Sequence, residues 1–195
     1  MKPCNKNQWH LLEKCHYLLY NYSMITFKNF IKKSNKRFKT AIELGSGNCD
    51  NSRWLSKNNI KVIAIDKNDY SPKKFKNFCF IKGDYFNIEQ INKLNNSTGY
   101  DLIFSCCSLC FNSETKIKKF LPLYIKKLSP GGVFYIIDFT PKEKVVTNKT
   151  NLYSYWFLEI INKHFNCIEI KKEKVFERKH RHTHNIFQLI CYNKT

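Results

Sequence analysis

An α/β fold with a mostly parallel sheet is what this 195-residue chain predicts, and three observations predict it. Residues 40–66 read as a strand, a glycine-rich turn, an amphipathic helix and a second strand closed by a carboxylate. Strand-like and helix-like patterns then alternate as far as residue 164. Two strand patterns follow with no helix between them. Parallel neighbours need crossover connections, which the alternation supplies. The last two strands lack one and must fold back, so one strand is antiparallel.

Residues 8–33 carry apolar side chains at helical spacing (Trp9, Leu12, Tyr17, Leu18, Ile25, Phe27, Phe30, Ile31) and predict one or two helices ahead of the sheet. The first strand is 40–44, the helix 50–58 and the second strand 61–65. F-C-F-I-K gives a strand at 78–82, followed by a helix over 87–95. Y-D-L-I-F-S gives a strand at 100–105, and its Asp101, at the opening of a buried strand, reads as structural. Asn112-Ser113 caps a helix over 114–127. Pro130-Gly131-Gly132 reads as a turn before the fifth strand, 132–138, and residues 139–150 as the flexible loop. A helix over 151–164 and strands at 167–175 and 185–192 complete the chain.

The length suits one domain over residues 1–195, divided into N-terminal helices (1–38) and a core (39–195). A content of 43% hydrophobic and 15% aromatic residues supports a packed core over a disordered chain. No apolar run reaches membrane-spanning length, and the first ten residues lack the apolar centre of a secretory signal. Nine cysteines without framework spacing fit free thiols in a reducing cytoplasm. The net charge of +19 points toward anionic partners and, weakly, toward RNA. The weakness has a reason. The lysines are spread along the chain, and the mixture of Lys, Asn, Ile, Phe and Tyr is what AT-rich coding produces.

The glycine-rich turn carries the functional signal. Gly45 and Gly47 lack side chains where the backbone must turn sharply and lie against a ligand. Asp66 follows about 20 residues later, the offset at which a carboxylate reaches a ribose hydroxyl pair. A nucleoside-containing cofactor is therefore expected. The third position of a dinucleotide fingerprint is Asp50, which would repel a pyrophosphate, and no Walker-type G-K-[ST] follows. Glu43 is a second acid at the same mouth. Two carboxylates suit a cofactor with positive charge, and S-adenosylmethionine carries a sulfonium and an ammonium group.

The segment Glu43-Leu44-Gly45-Ser46-Gly47-Asn48-Cys49 resembles the (D/E)-x-G-x-G-x-G motif of class I S-adenosylmethionine-dependent methyltransferases, with Cys49 in place of the last glycine. I-A-I-D ending at Asp66, F-I-K-G-D-Y around Asp84, Y-D-L-I-F-S ending at Ser105 and L-S-P-G-G-V-F-Y-I-I-D ending at Asp138 resemble the family's further landmarks in order. The spacing G-N-x-x-N-S-x-x-L, followed by I-D-K-N, is similar to small tellurite/thiol-type methyltransferases. The resemblance implies a Rossmann-like three-layer sandwich with a seven-stranded, mostly parallel sheet and one antiparallel strand. It implies that Glu43, Gly45 and Gly47 hold the methionine and ribose portion. Asp66 would take the ribose hydroxyls, Asp84 the adenine amino group and the Ser105 carbonyl the ammonium, with Ser46, Lys67 and Tyr85 beside them. Residues 1–38 would form a lid, which makes Tyr17, Tyr20 and Tyr22 candidate pocket residues, although plain packing on the sheet is the favoured explanation for any one of them.

Ligands of open α/β sheets bind beyond the carboxyl ends of the strands. The turn near 176–184, F-E-R-K-H-R-H-T-H, would open there, so Arg178, His180, Arg181 and His182 are candidates to clamp an anion or supply a base. A solvated hairpin tip is the competing explanation. His180, His182 and His184 alternate, and Cys107 and Cys110 form a C-x-x-C. The implied strand order separates the two groups by three strands, roughly 14 Å, so no metal is expected. After the fourth strand stands Ser105-Cys106-Cys107-Ser108. Neither the [DN]-P-P-[YF] of amino-group methyltransferases, nor the Asp of ribose 2′-O enzymes, nor a Pro-Cys nucleophile is present. A small molecule with a soft or acidic nucleophile (thiol, metalloid, carboxylate, phenol) is the leading acceptor. An RNA or cap methyltransferase and a catalytically silent binding subunit are the alternatives.

Overall fold

The computed structural model describes residues 22–69, 75–94, 96–139, 155–177 and 182–193. Seven strands form one sheet: β1 (Thr40–Leu44), β2 (Lys61–Asp66), β3 (Phe78–Lys82), β4 (Tyr100–Cys106), β5 (Leu128–Phe139), β6 (Phe165–Glu177) and β7 (His182–Asn193). Their spatial order is β3-β2-β1-β4-β5-β7-β6, with β7 antiparallel to both of its neighbours. The helices are α1 (residues 22–33), α2 (Asp50–Lys57), α3 (Ile88–Lys93), α4 (Glu114–Ile125) and α5 (Tyr155–His164). The sheet thus has the seven strands and the single reversed strand that the sequence implies.

Strand order decides where the helices go. From β1 the chain steps outward through β2 to β3, and from β4 it steps the other way to β5. Right-handed crossovers therefore place α2 and α4 on opposite faces. On the α2 side, α1 packs Phe27 onto Phe104 with ring centroids 4.4 Å apart, and Phe30 onto Tyr135 at 4.8 Å. On the other side α4 contributes buried Ile117, Phe120, Leu121 and Tyr124 and meets α5. Burial on both faces explains why β1, β4 and β5 read as continuous apolar runs.

Several boundaries differ from the sequence reading for identifiable reasons. β5 starts at Leu128, because Tyr100 pairs with Leu128 and Leu102 with Val133. Pro130-Gly131-Gly132 is thus a bulge inside β5 and not a turn before it. Gly131 has φ 67°, and a Cβ on Gly132 would lie 2.9 Å from the carbonyl oxygens of Ser129 and Tyr100. Asn87 caps α3 from outside, its side chain accepting the Glu89 N–H at 2.8 Å. The β6–β7 ladder runs from Phe165↔Asn193 to Glu177↔His182, longer at both ends than the apolar pattern suggests. The expected loop at 139–150 lies outside the described residues apart from Phe139, which ends β5.

Asp101 ties the amino ends of the central strands together. Its Oδ2 accepts the Lys39 N–H at 2.7 Å and the Thr40 N–H at 3.0 Å, while the Ser129 hydroxyl reaches Oδ1 at 3.4 Å. Hydrogen bonds to a charged group contribute about 1.5–3 kcal/mol each, less what water recovers at a part-exposed site. Asp101→Ala is expected to lower unfolding stability by about 1–3 kcal/mol. The check is a urea titration in which the midpoint falls while its slope is unchanged.

Candidate cofactor cleft

The loops after β1 and β4 part company where the strand order reverses, and a cleft of about 270 Å³ opens between them. One wall comes from the β1–β2–β3 half: Gly45, Gly47, Asp66, Lys67, Asp84 and Tyr85. The opposite wall follows β4 and includes Cys106, Cys107, Ser108 and Asn112, with Lys116 from α4 at the rim. Six of the nine cofactor candidates are therefore brought together.

The two walls lock through glycine. The Gly45 N–H bonds the Ile65 carbonyl at 2.9 Å, and the Gly45 φ is 70°. A Cβ on Gly45 would come within 1.7 Å of Ser108 Oγ, so only glycine lets the β4 loop close over the β1 loop. Ser108 Oγ lies 2.9 Å from the Tyr85 hydroxyl, and Asn112 Nδ2 donates to that hydroxyl at 2.6 Å. A Cβ on Gly47, in contrast, would meet nothing within 4 Å. Gly47 faces open space, and its N–H donates to Asp66 Oδ2 at 2.8 Å. Asp66 Oδ1 accepts the Asn68 N–H at 2.9 Å. This carboxylate is fixed by two bonds and retains acceptor capacity toward the cleft.

Glu43 corrects the sequence reading. It is not at the mouth but buried behind the wall, where its carboxylate accepts from Asn51 Nδ2 at 3.2 Å, the Ser52 N–H at 3.2 Å and the Ser52 hydroxyl. It caps α2 from β1, a role that Cys49, the N-cap residue, does not fill with its own side chain. Cys49 sits at φ 60°, the left-handed region that the glycine of the resembling motif adopts freely. Burial pushes the Glu43 carboxyl up from an ordinary 4.5 to about 8. Ser46 and Ser105 also lie behind the wall. Both are buried, and the Ser105 hydroxyl has no partner among the described residues. Cys106, Cys107 and Ser108, which follow Ser105, line the cleft.

The β4 wall holds neutral thiols. Burial pushes Cys106, Cys107 and Cys110 well above the ordinary thiol range, so none is a ready nucleophile. Cys110 is held away from the cleft by Asp138, whose Oδ2 accepts the Cys110 N–H at 3.1 Å and whose own carboxyl is pushed up to about 6 by burial. Among the described residues no group of three His, Cys, Asp or Glu could hold a metal ion. Tyr22 lines a separate groove between α1 and β7 and not the cleft. Tyr17, Tyr20, Arg178, His180 and Arg181 lie outside the described residues. His182 opens β7 opposite Glu177, so β6 ends and β7 begins at the carboxyl end of the sheet, the same end as the cleft. The sequence reading missed Asn112 and Lys116, whose only signal was their place at the start of the helix that follows β4.

The family model described as tellurite resistance protein TehB matches residues 11–184. No curated protein is significantly similar in sequence. Among solved structures, a methyltransferase from Archaeoglobus fulgidus described as S-adenosylmethionine-dependent superposes with TM-score 0.70 at 12% identity, over 89% of this chain and 94% of that one. The 1,6-didemethyltoxoflavin-N1-methyltransferase of Burkholderia thailandensis, with S-adenosylhomocysteine bound, gives 0.62 at 10% identity over 100% and 93%. The N-methyltransferase NodS of Bradyrhizobium japonicum, also with S-adenosylhomocysteine, gives 0.63 at 11% identity over 94% and 87%. Likeness at these identities speaks for the fold. Among the described residues no helix is long and apolar enough to cross a membrane.

Glu43 makes stability depend on pH in a definite sense. The unfolded chain loses this proton near pH 4.5 and the folded chain near 8, so between those values the folded state binds more protons. Stability therefore falls as pH rises through that window. Asp138 adds to the fall between 3.8 and about 6. Glu43→Gln is expected to flatten the dependence between pH 6 and 8, read from urea midpoints at several pH values.

Proposed function

The chain belongs to the TehB family of class I S-adenosylmethionine-dependent methyltransferases, and from that premise we propose that it methylates a small anionic or thiol-like molecule. The observation that carries this reading is one crevice holding both a carboxylate with spare acceptor capacity, Asp66, and the cation Lys67 beside it. The residues present suit the cofactor. Gly47 opens onto free space, and Asp66 and Asp84 line the cleft, in keeping with the ribose and adenine roles that the family resemblance implies for them.

S-adenosylmethionine supplies an electrophilic methyl group on a sulfonium that already leaves readily. The protein's task is then to orient the acceptor and keep the site dry. Neutral Cys106 and Cys107 give the wall opposite the glycine loop a weakly polar surface that competes with neither reactant. The N-terminal segment is read as the lid, as the family resemblance implies. In support, Ser23 on α1 is buried and bonds the thiol of Cys107, which lines the cleft. Arg178, His180 and His182, with Tyr17 from the lid, are the candidates to clamp the acceptor or take its proton. The strand directions support this for the first three. The Burkholderia thailandensis structure holds a small acceptor, 1,6-didemethyltoxoflavin, in support of a small acceptor here.

Calorimetric titration with S-adenosylmethionine tests the cofactor side. Wild type is expected to bind in the micromolar range, and Asp66→Ala at least about tenfold more weakly, the effect of removing a charge-assisted acceptor. No binding by wild type would sink the proposal. Transfer of labelled methyl groups to thiols and small oxyanions, set beside RNA, tests the acceptor class. Salt-sensitive RNA methylation would instead favour the RNA alternative.

A further inference from the structure

Lys116 occupies a position its own helix does not favour. It lies in the first turn of α4, where the partial positive charge of a helix N-terminus opposes a cation and suits an acid such as Glu114. Its ammonium reaches to the loop after β3, where Nζ meets Asp84 Oδ2 at 3.2 Å. The other oxygen of Asp84, Oδ1, accepts the Phe86 N–H at 2.9 Å and so fixes the carboxylate. Oδ2 is the oxygen left for a partner, and Lys116 holds it. Both side chains line the cleft, and they are 51% and 48% exposed, so the pair is wet and can open.

We propose that Lys116 sets the affinity of the nucleoside subsite by competing for Asp84. The inference rests on the cofactor reading above. In the free cleft the ammonium holds Oδ2; the oxygen can accept a second bond, but a purine amino group brought to it sets its N–H dipole against the ammonium, so the two donors compete for that oxygen. Binding therefore weakens a charged contact to gain a neutral one, and the net affinity is lower than Asp84 alone would give. Salt screens the exposed pair and so weakens the competitor. An uncharged nucleoside should bind more tightly as ionic strength rises, a trend opposite to that of a ligand held by its charge.

The test is calorimetry on the full chain with adenosine and S-adenosylhomocysteine at about 50 and 500 mM NaCl, a range over which exposed pairs go from weakly to strongly screened. Lys116→Met is expected to bind adenosine roughly two- to fivefold more tightly than wild type at low salt, the measured range for an exposed pair. Wild type should approach the variant at high salt, and Lys116→Arg should behave as wild type. In an Asp84→Ala background, Lys116→Met should have no effect. A purely structural role for Lys116 would not raise affinity. Weaker adenosine binding by Lys116→Met would overturn the proposal and make Lys116 a purine ligand. Unchanged binding with the salt trend intact would overturn it too. Failure of wild type to bind either ligand would remove the cofactor reading and this inference together, and is recognised by that pattern.

Discussion

Parallel strands can be joined only by crossovers, and crossovers have a fixed hand. A sheet that grows outward in two directions from its centre must send the connections of its two halves to opposite faces. Between β1 and β4 the loops consequently diverge, and no helix of either layer can fill the gap. The cleft follows from the order in which the strands are laid down. The packing of Ser108 against Gly45, the aim of the Gly47 N–H at Asp66 and the crossing of Lys116 to Asp84 are local solutions to that one opening.

Three acids of the central strands show how position along a strand decides chemistry. Asp101 is at the amino end of β4 and spends its oxygens on neighbouring backbone N–H groups. Glu43 is inside β1, so its side chain leaves perpendicular to the sheet and ends beneath α2, where burial holds it protonated through neutral pH. Asp66 is the last residue of β2 and divides its oxygens between the glycine loop and its own following turn, with the cleft beside it. The residue type is nearly the same in each case. Solvent access and the nearest N–H groups separate a clamp, a cap and a cleft-facing acceptor.

The parts of this fold that were legible in the sequence are those with local causes. Apolar runs located every strand, and the absence of a helix between the last two gave the reversal of β7. Gly45, Gly47 and Asp66 were legible because a turn geometry and a fixed offset constrain them. Glu43 was misplaced because the motif records that an acid is present and not which way it points. Pro130-Gly131-Gly132 was taken for a turn because a bulge and a turn ask for the same residues. Only the pairing of Tyr100 with Leu128 distinguishes them. Lys116 was invisible because its partner is 32 positions away, and no periodicity links a helix start to a loop across the sheet.

The two outer strands of the sheet meet the surroundings in different ways. β3 is five residues long, too short to offer much of a template, whereas β6 runs for thirteen and, among the described residues, has no strand paired to its outer side. An open strand of that length is where chains add to one another into ribbons. Along β6, Glu169, Lys171, Lys172, Glu173 and Lys174 crowd the stretch between Ile168 and the strand's end, so an incoming strand would meet a dense row of charges of both signs. The same lysine-rich character that invites thoughts of nucleic acid thus has a plainer use at this margin, in keeping a crowded solution of these molecules from knitting into aggregates.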